Sequence, residues 1–195
     1  MRMRGVSRCV VGLGMAALIG LPCGWAQEAA DVISPEAQRL IKLLDADDVY
    51  LRRTTFLQLE ALREPATAPV IRDHLKSRNA KTRAFSVRAL AAVEGPKAVA
   101  TLIERLKSDR NAYVRLETVL ALEPLREPDP SVVTPALIGA LRDRNPEVRM
   151  AAVDAVSRVG EPEAKAAILM RWKRERDRDV RRVLEAAMKR LGPAS

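Results

Sequence analysis

Apolar residues along this chain recur at helical rather than strand spacing, and the pattern itself repeats. One arginine anchors each copy: Arg52, Arg83, Arg115, Arg149 and Arg181, at intervals of 31, 32, 34 and 32 residues. One position before the anchors stand Leu51, Thr82, Val114, Val148 and Val180. Seven after come Leu59, Leu90, Leu122, Val156 and Met188, and ten after come Leu62, Val93, Leu125, Val159 and Leu191. These offsets trace one face of a helix. Four positions before the anchors lie Asp48, Asn79, Asn111, Asn145 and Asp177, whose side-chain oxygens suit a helix N-cap. Pro146, directly after Asn145, suits the first helical position.

A second register runs ahead of the first. Pro35, Pro65, Pro96, Pro130 and Pro162 follow Ser34, Glu64, Gly95, Asp129 and Glu161, and each is expected to open another helix. Apolar groups then recur at helical spacing: Leu40-Ile41-Leu44, Ile71-Leu75, Leu102-Ile103-Leu106, Leu137-Ile138-Leu141 and Ile168-Leu169-Trp172. Each unit therefore reads as helix A, short turn, helix B, over about 34–63, 64–94, 95–126, 127–160 and 161–192. Such pairs cannot bury their apolar faces alone and must stack, which predicts an all-α fold, a right-handed α-solenoid of five helix pairs spanning 34–195. In the last unit Glu185 stands where the others have Phe56, Val87, Val119 and Val153, so that face is expected to meet water. Aromatics at 3% count further against a sheet fold.

The first residues read differently. Arg2, Arg4 and Arg8 precede a stretch without charge from Cys9 to Ala26, with an apolar core up to Leu21, then Pro22 and the small residues Gly24 and Ala26. That is the layout of a signal peptide over 1–26, cleaved after Ala26, and it predicts a periplasmic or secreted protein. The alternative is a membrane anchor formed by residues 9–26, although the apolar core is shorter than a spanning helix needs. Lipid attachment at Cys23 is disfavoured by Pro22, where a small residue is wanted. Residues 27–33 would form a short, poorly ordered lead. Cleavage lowers the net charge from +9 to +6 and removes Cys9 and Cys23, the only two cysteines, leaving neither a disulfide nor a thiol.

Candidate chemistry is sparse. His74 is the only histidine and is expected on the solvated surface, so neither a catalytic triad nor a zinc set is recognisable. Asp45, Asp47 and Asp48 lack the glycine turn and distal glutamate of a calcium loop. No catalytic residue, metal or cofactor is therefore expected. Five positions before four of the anchors stand Arg78, Arg110, Arg144 and Arg176, which stacking would align as a basic ridge able to hold carboxylates or phosphates. The competing expectation pairs them with nearby Asp109, Asp143 or Glu175. The mixed-sign run Lys173–Asp179 reads as a solvated face.

The segments Asp109-Arg110-Asn111-Ala112-Tyr113-Val114-Arg115 and Asp143-Arg144-Asn145-Pro146-Glu147-Val148-Arg149, each opening an Ala/Leu/Val-rich helix, resemble HEAT repeats in the short form of the phycobilisome-lyase type. The resemblance covers roughly 34–192. It implies an armadillo-like superhelix and a polar ladder between units, with Asp109 and Asp143 set against the anchors Arg52, Arg83, Arg115, Arg149 and Arg181. The pattern departs at Ser77 in the second unit and at Glu175 in the fifth. The function expected is an exported, non-enzymatic scaffold whose concave face or ridge binds a protein or peptide, acidic where the ridge is engaged. Two alternatives stand beside it: nucleic-acid binding like that of HEAT-like DNA glycosylases, and a lyase-like accessory role. Export and the few aromatics after the leader (Tyr50, Phe56, Phe85, Tyr113 and Trp172, expected mostly on apolar faces) argue against base stacking. Oligomeric state is left open.

Overall fold

The computed structural model describes residues 32–127, 130–159 and 162–192. The leader, both cysteines, most of the 27–33 lead, and the expected helix-opening residues Asp129 and Glu161 lie outside them. Among the described residues five helix pairs follow one another: α1 (Pro35–Leu43) with α2 (Val49–Leu62), α3 (Ala68–His74) with α4 (Ala80–Glu94), α5 (Val99–Ser108) with α6 (Ala112–Leu122), α7 (Pro130–Ala140) with α8 (Pro146–Ser157), and α9 (Pro162–Arg174) with α10 (Arg178–Leu191). The odd-numbered helices are the A helices and the even-numbered ones the B helices. No described helix is long and apolar enough to cross a membrane.

Each B helix starts where its cap dictates. Asp48, Asn79, Asn111, Asn145 and Asp177 are extended, and their side-chain oxygens accept from amides of the first turn. Each satisfies donors that would otherwise lack a partner, and each cap contributes about 1 kcal/mol. The A helices open less uniformly. Ser34 caps α1, and Pro35 takes its first position. Pro65 and Pro96 instead open 3₁₀ turns, Pro65–Thr67 and Gly95–Ala98, that run into α3 and α5. No side chain caps either turn, so the chain tightens by local i→i+3 bonds before settling into the α-helix.

Successive B helices pack directly on one another while the A helices touch more sparsely, which places the B helices on the inner, concave layer and splays the A helices outside. Between the layers runs one continuous core. The anchor-plus-seven positions Leu59, Leu90, Leu122 and Val156 are sealed from solvent, as are Ile71, Leu102, Leu137 and Ile168 from the A helices. Leu51 and Leu169, expected on the buried face, are more than a third exposed because each lies on an outer unit with a neighbour on one side only. Glu185 is half-exposed, in keeping with its polar replacement of a core residue. The fold is an all-α solenoid.

Candidate functional site

The anchors build a ladder along the edge where each A helix turns into its B helix. Arg83 donates from Nε and Nη2 to both oxygens of Asp109 at 2.8 and 3.0 Å. Arg115 clasps Asp143 in the same way at 2.7 Å twice, and Arg149 clasps Glu175 at 2.9 and 3.1 Å. Each rung joins one unit to the next. The third guanidinium nitrogen, Nη1, donates to carbonyls of the residue's own turn: Ser77 and Arg78, Asp109 and Arg110, Asp143 and Arg144. The carboxylates also accept from the amides that follow them, Asp109 from Asn111, Asp143 from Asn145, and Glu175 from Arg176 and Asp177. Glu175 thus fills a rung with a longer side chain; its place in a charge run concealed this from sequence reading, which expected the run to be solvated.

Electrostatics follow from that geometry. Burial alone would raise these acids, but the clasping arginine and the amide bonds outweigh it and hold Asp109 and Asp143 below the ordinary carboxylate value. Against the same opposing burial, the Asp177 amide, Arg171 and Arg149 bring Glu175 down to about 2.

The remaining two anchors form no such rung. Arg52 donates from Nη1 to the Ala46 carbonyl, the bond its siblings make, but the rung position of the second unit is Ser77. Ser77 Oγ accepts from the Asn79 amide, performing one of the two tasks of Asp109, and Arg52 Nε is buried with no hydrogen-bond partner. Arg181 lies 5.1 Å over the Trp172 ring and 3.7 Å from Glu185.

Beside the ladder, Arg78, Arg110, Arg144 and Arg176 are all exposed. The acids expected to neutralise them are already engaged by Arg83, Arg115 and Arg149, and by Arg105 and Arg171 from within the A helices. Arg144 reaches back to donate to the Arg110 carbonyl at 2.6 Å, and that bond sets the two turns side by side. Their guanidinium charge is left facing water. On the concave layer, by contrast, Arg88 has acids nearby, at 3.5 Å from Glu60 and 4.0 Å from Glu117. Burial and the adjacent Glu117 carboxylate push the Tyr113 phenol up. Tyr50 and Tyr113 are exposed there with Leu57 and Leu120, the two aromatics off the apolar face, since both fall two positions before an anchor. His74 departs from expectation, being half-buried with its ring edge-on to Phe56 at 5.7 Å.

Residues 37–123 and 119–189 match the HEAT-repeat family, so nearly all of the described chain is accounted for by it. The chain belongs to the HEAT-repeat proteins. Among solved structures it is similar to the complex of CpcE and CpcF of phycocyanin lyase from Nostoc sp. PCC7120, with 23% identity over 77% of this chain and 96% of that one, and a TM-score of 0.61. An engineered protein is similar at 18% identity over 80% and 78% of the two chains, with a TM-score of 0.51. Identities this low establish the shared fold. No significant match is found among curated proteins.

Proposed function

We propose that this chain is an exported, non-catalytic HEAT-repeat scaffold that binds a protein or peptide partner bearing acidic groups. The observation carrying the reading is that, among the described residues, the exposed turn arginines make no ion pair, while Asp109, Asp143 and Glu175 are clasped by Arg83, Arg115 and Arg149. A row of unmatched guanidinium groups on a rigid edge suits bidentate capture of carboxylates. The basic start at Arg2, Arg4 and Arg8 and the charge-free stretch from Cys9 to Ala26 support export to the periplasm or beyond. The test is capture from an envelope fraction by the tagged chain, compared with the Arg110→Glu/Arg144→Glu variant. A partner recovered by the wild type and lost by the variant, at unchanged thermal stability, supports the scaffold; equal recovery refutes the ridge.

The likeness to the CpcE and CpcF complex favours a second reading, a lyase-like accessory chain that works in complex with a second chain. Co-purification of such a chain, with phycocyanin lyase activity of the pair, distinguishes it. The nucleic-acid alternative predicts binding to oligonucleotides that weakens steeply with salt.

A further inference from the structure

The rung acids have a second neighbour that differs among the units. Four residues before Asp109 stands Arg105, and four before Glu175 stands Arg171; both reach their acid, at 3.5 and 2.6 Å. Four before Asp143 stands Gly139. The arginine side chain present at this place in the third and fifth units is missing in the fourth. A groove of about 560 Å³ lies between α5 and α7. Its floor is small and apolar, formed by Pro135, Ala136, Gly139 and Ala140. Lys107, Arg110, Arg142 and Arg144 surround it, all exposed and, among the described residues, none in an ion pair. The acids at its edge, Asp109 and Asp143, are clasped by Arg83 and Arg115.

We propose that this groove seats an extended acidic peptide segment of the partner, with a small side chain on the Gly139 floor and carboxylates on Arg110 and Arg144. Charge complementarity selects the occupant, since unmatched cations around an apolar floor of small residues favour carboxylates alternating with small residues over a purely apolar surface. The cavity is large enough for a few residues of extended chain. The natural occupant rests on the scaffold reading, but the groove is testable on the chain alone.

Gly139 provides the decisive variant. A Cβ built there meets nothing within 4 Å, and the residue is helical, so Gly139→Arg and Gly139→Leu both fit the fold and favour the helix. Gly139→Arg also restores the arginine that the neighbouring units carry, which fills the groove and turns toward Asp143. Attraction by charge alone predicts that adding a cation tightens an acidic ligand; the groove predicts the reverse.

The experiment is fluorescence anisotropy with a labelled peptide of alternating Glu and Ala. Gly139→Arg, Gly139→Leu and Arg110→Glu/Arg144→Glu are expected to bind about tenfold more weakly than wild type, with thermal stability of the two Gly139 variants kept or raised. Lys97→Glu/Lys189→Glu, with the same net-charge change but distant from the groove, is expected to stay within about twofold of wild type. Unchanged or tighter binding by Gly139→Arg overturns the groove, as does an equal loss in the lysine control or no binding by wild type. An oligonucleotide that displaces the peptide at equal concentration also overturns it. Failed capture from the envelope fraction, with the peptide pattern intact, refutes the scaffold reading and leaves the groove standing.

Discussion

Arg115 and Asp143 face each other across the third and fourth units through two parallel hydrogen bonds of 2.7 Å, with side chains only 5% and 10% exposed. Neither charge has water to fall back on, so loss of one partner strands the other. Arg115→Met is expected to destabilise the protein by about 3 kcal/mol, whereas Lys76→Met, removing the exposed Lys76–Asp73 pair, costs under about 0.5 kcal/mol. Urea unfolding of the two variants measures the difference. Equal losses would show that the ladder is ornamental.

The first junction offers the complementary test. Ser77→Asp supplies the carboxylate that Arg52 Nε lacks, while keeping an acceptor for the Asn79 amide. Stability is expected to rise by about 1 kcal/mol, which corresponds to a melting-temperature increase of roughly 2–4 °C for a chain of this size. The gain should vanish in the Arg52→Met background. A gain that persists there would assign it to something other than the rung.

Acid should dismantle the fifth-unit rung in a defined window. Glu175 titrates near its ordinary 4.5 when unfolded and at about 2 when folded. A depressed carboxylate stabilises the fold fully above its unfolded value and loses that contribution as pH falls through the folded one. The loss therefore runs from about pH 5 to about pH 2 and amounts to about 3 kcal/mol. Glu175→Gln should be less stable than wild type at neutral pH and should converge with it near pH 2. Parallel stability curves for the two proteins across that range would refute the assignment.

The leader makes a prediction of another kind. If residues 1–26 are a cleaved signal, the mature protein begins at Gln27 and carries no cysteine. Amino-terminal sequencing and intact mass of the protein from its native compartment decide this. Retention of Met1 in the mature fraction would defeat the export reading.

Much of the solenoid was legible because its determinants are local. Asn111 and Asn145 announce helix starts by residue type alone, and Leu90 and Leu122 declare a buried face by spacing. The rungs at Asp109 and Asp143 came through the family resemblance. What stayed hidden depends on side-chain length or on comparison between units. Glu175 looked like one charge in a solvated run because its extra methylene, which lets it reach Arg149, has no signature in a linear pattern. Tyr50 and Tyr113, two of the five aromatics expected mostly on apolar faces, are exposed because each is offset from that face. Gly139 reads as a lone helical glycine until it is aligned with Arg105 and Arg171. Only then does its missing side chain become a groove.

The ties between units are unequal from one junction to the next. The second and third units are held on two sides, by Arg83 with Asp109 and by Arg72, which donates to Glu94 and, at 2.7 Å, to the Thr101 hydroxyl. The first and second lack such a rung, and their polar ties are Ser34, which donates from its hydroxyl to Glu64 at 2.8 Å, and Arg88, which lies 3.5 Å from Glu60 on the concave layer. The first helix pair is thus joined to the rest of the solenoid without the buried clasp that its successors share, and its seat depends on apolar packing such as that of Phe56 on Phe85. A solenoid built this way resists acid and charge removal unevenly along its length, with the end that has no rung the least affected.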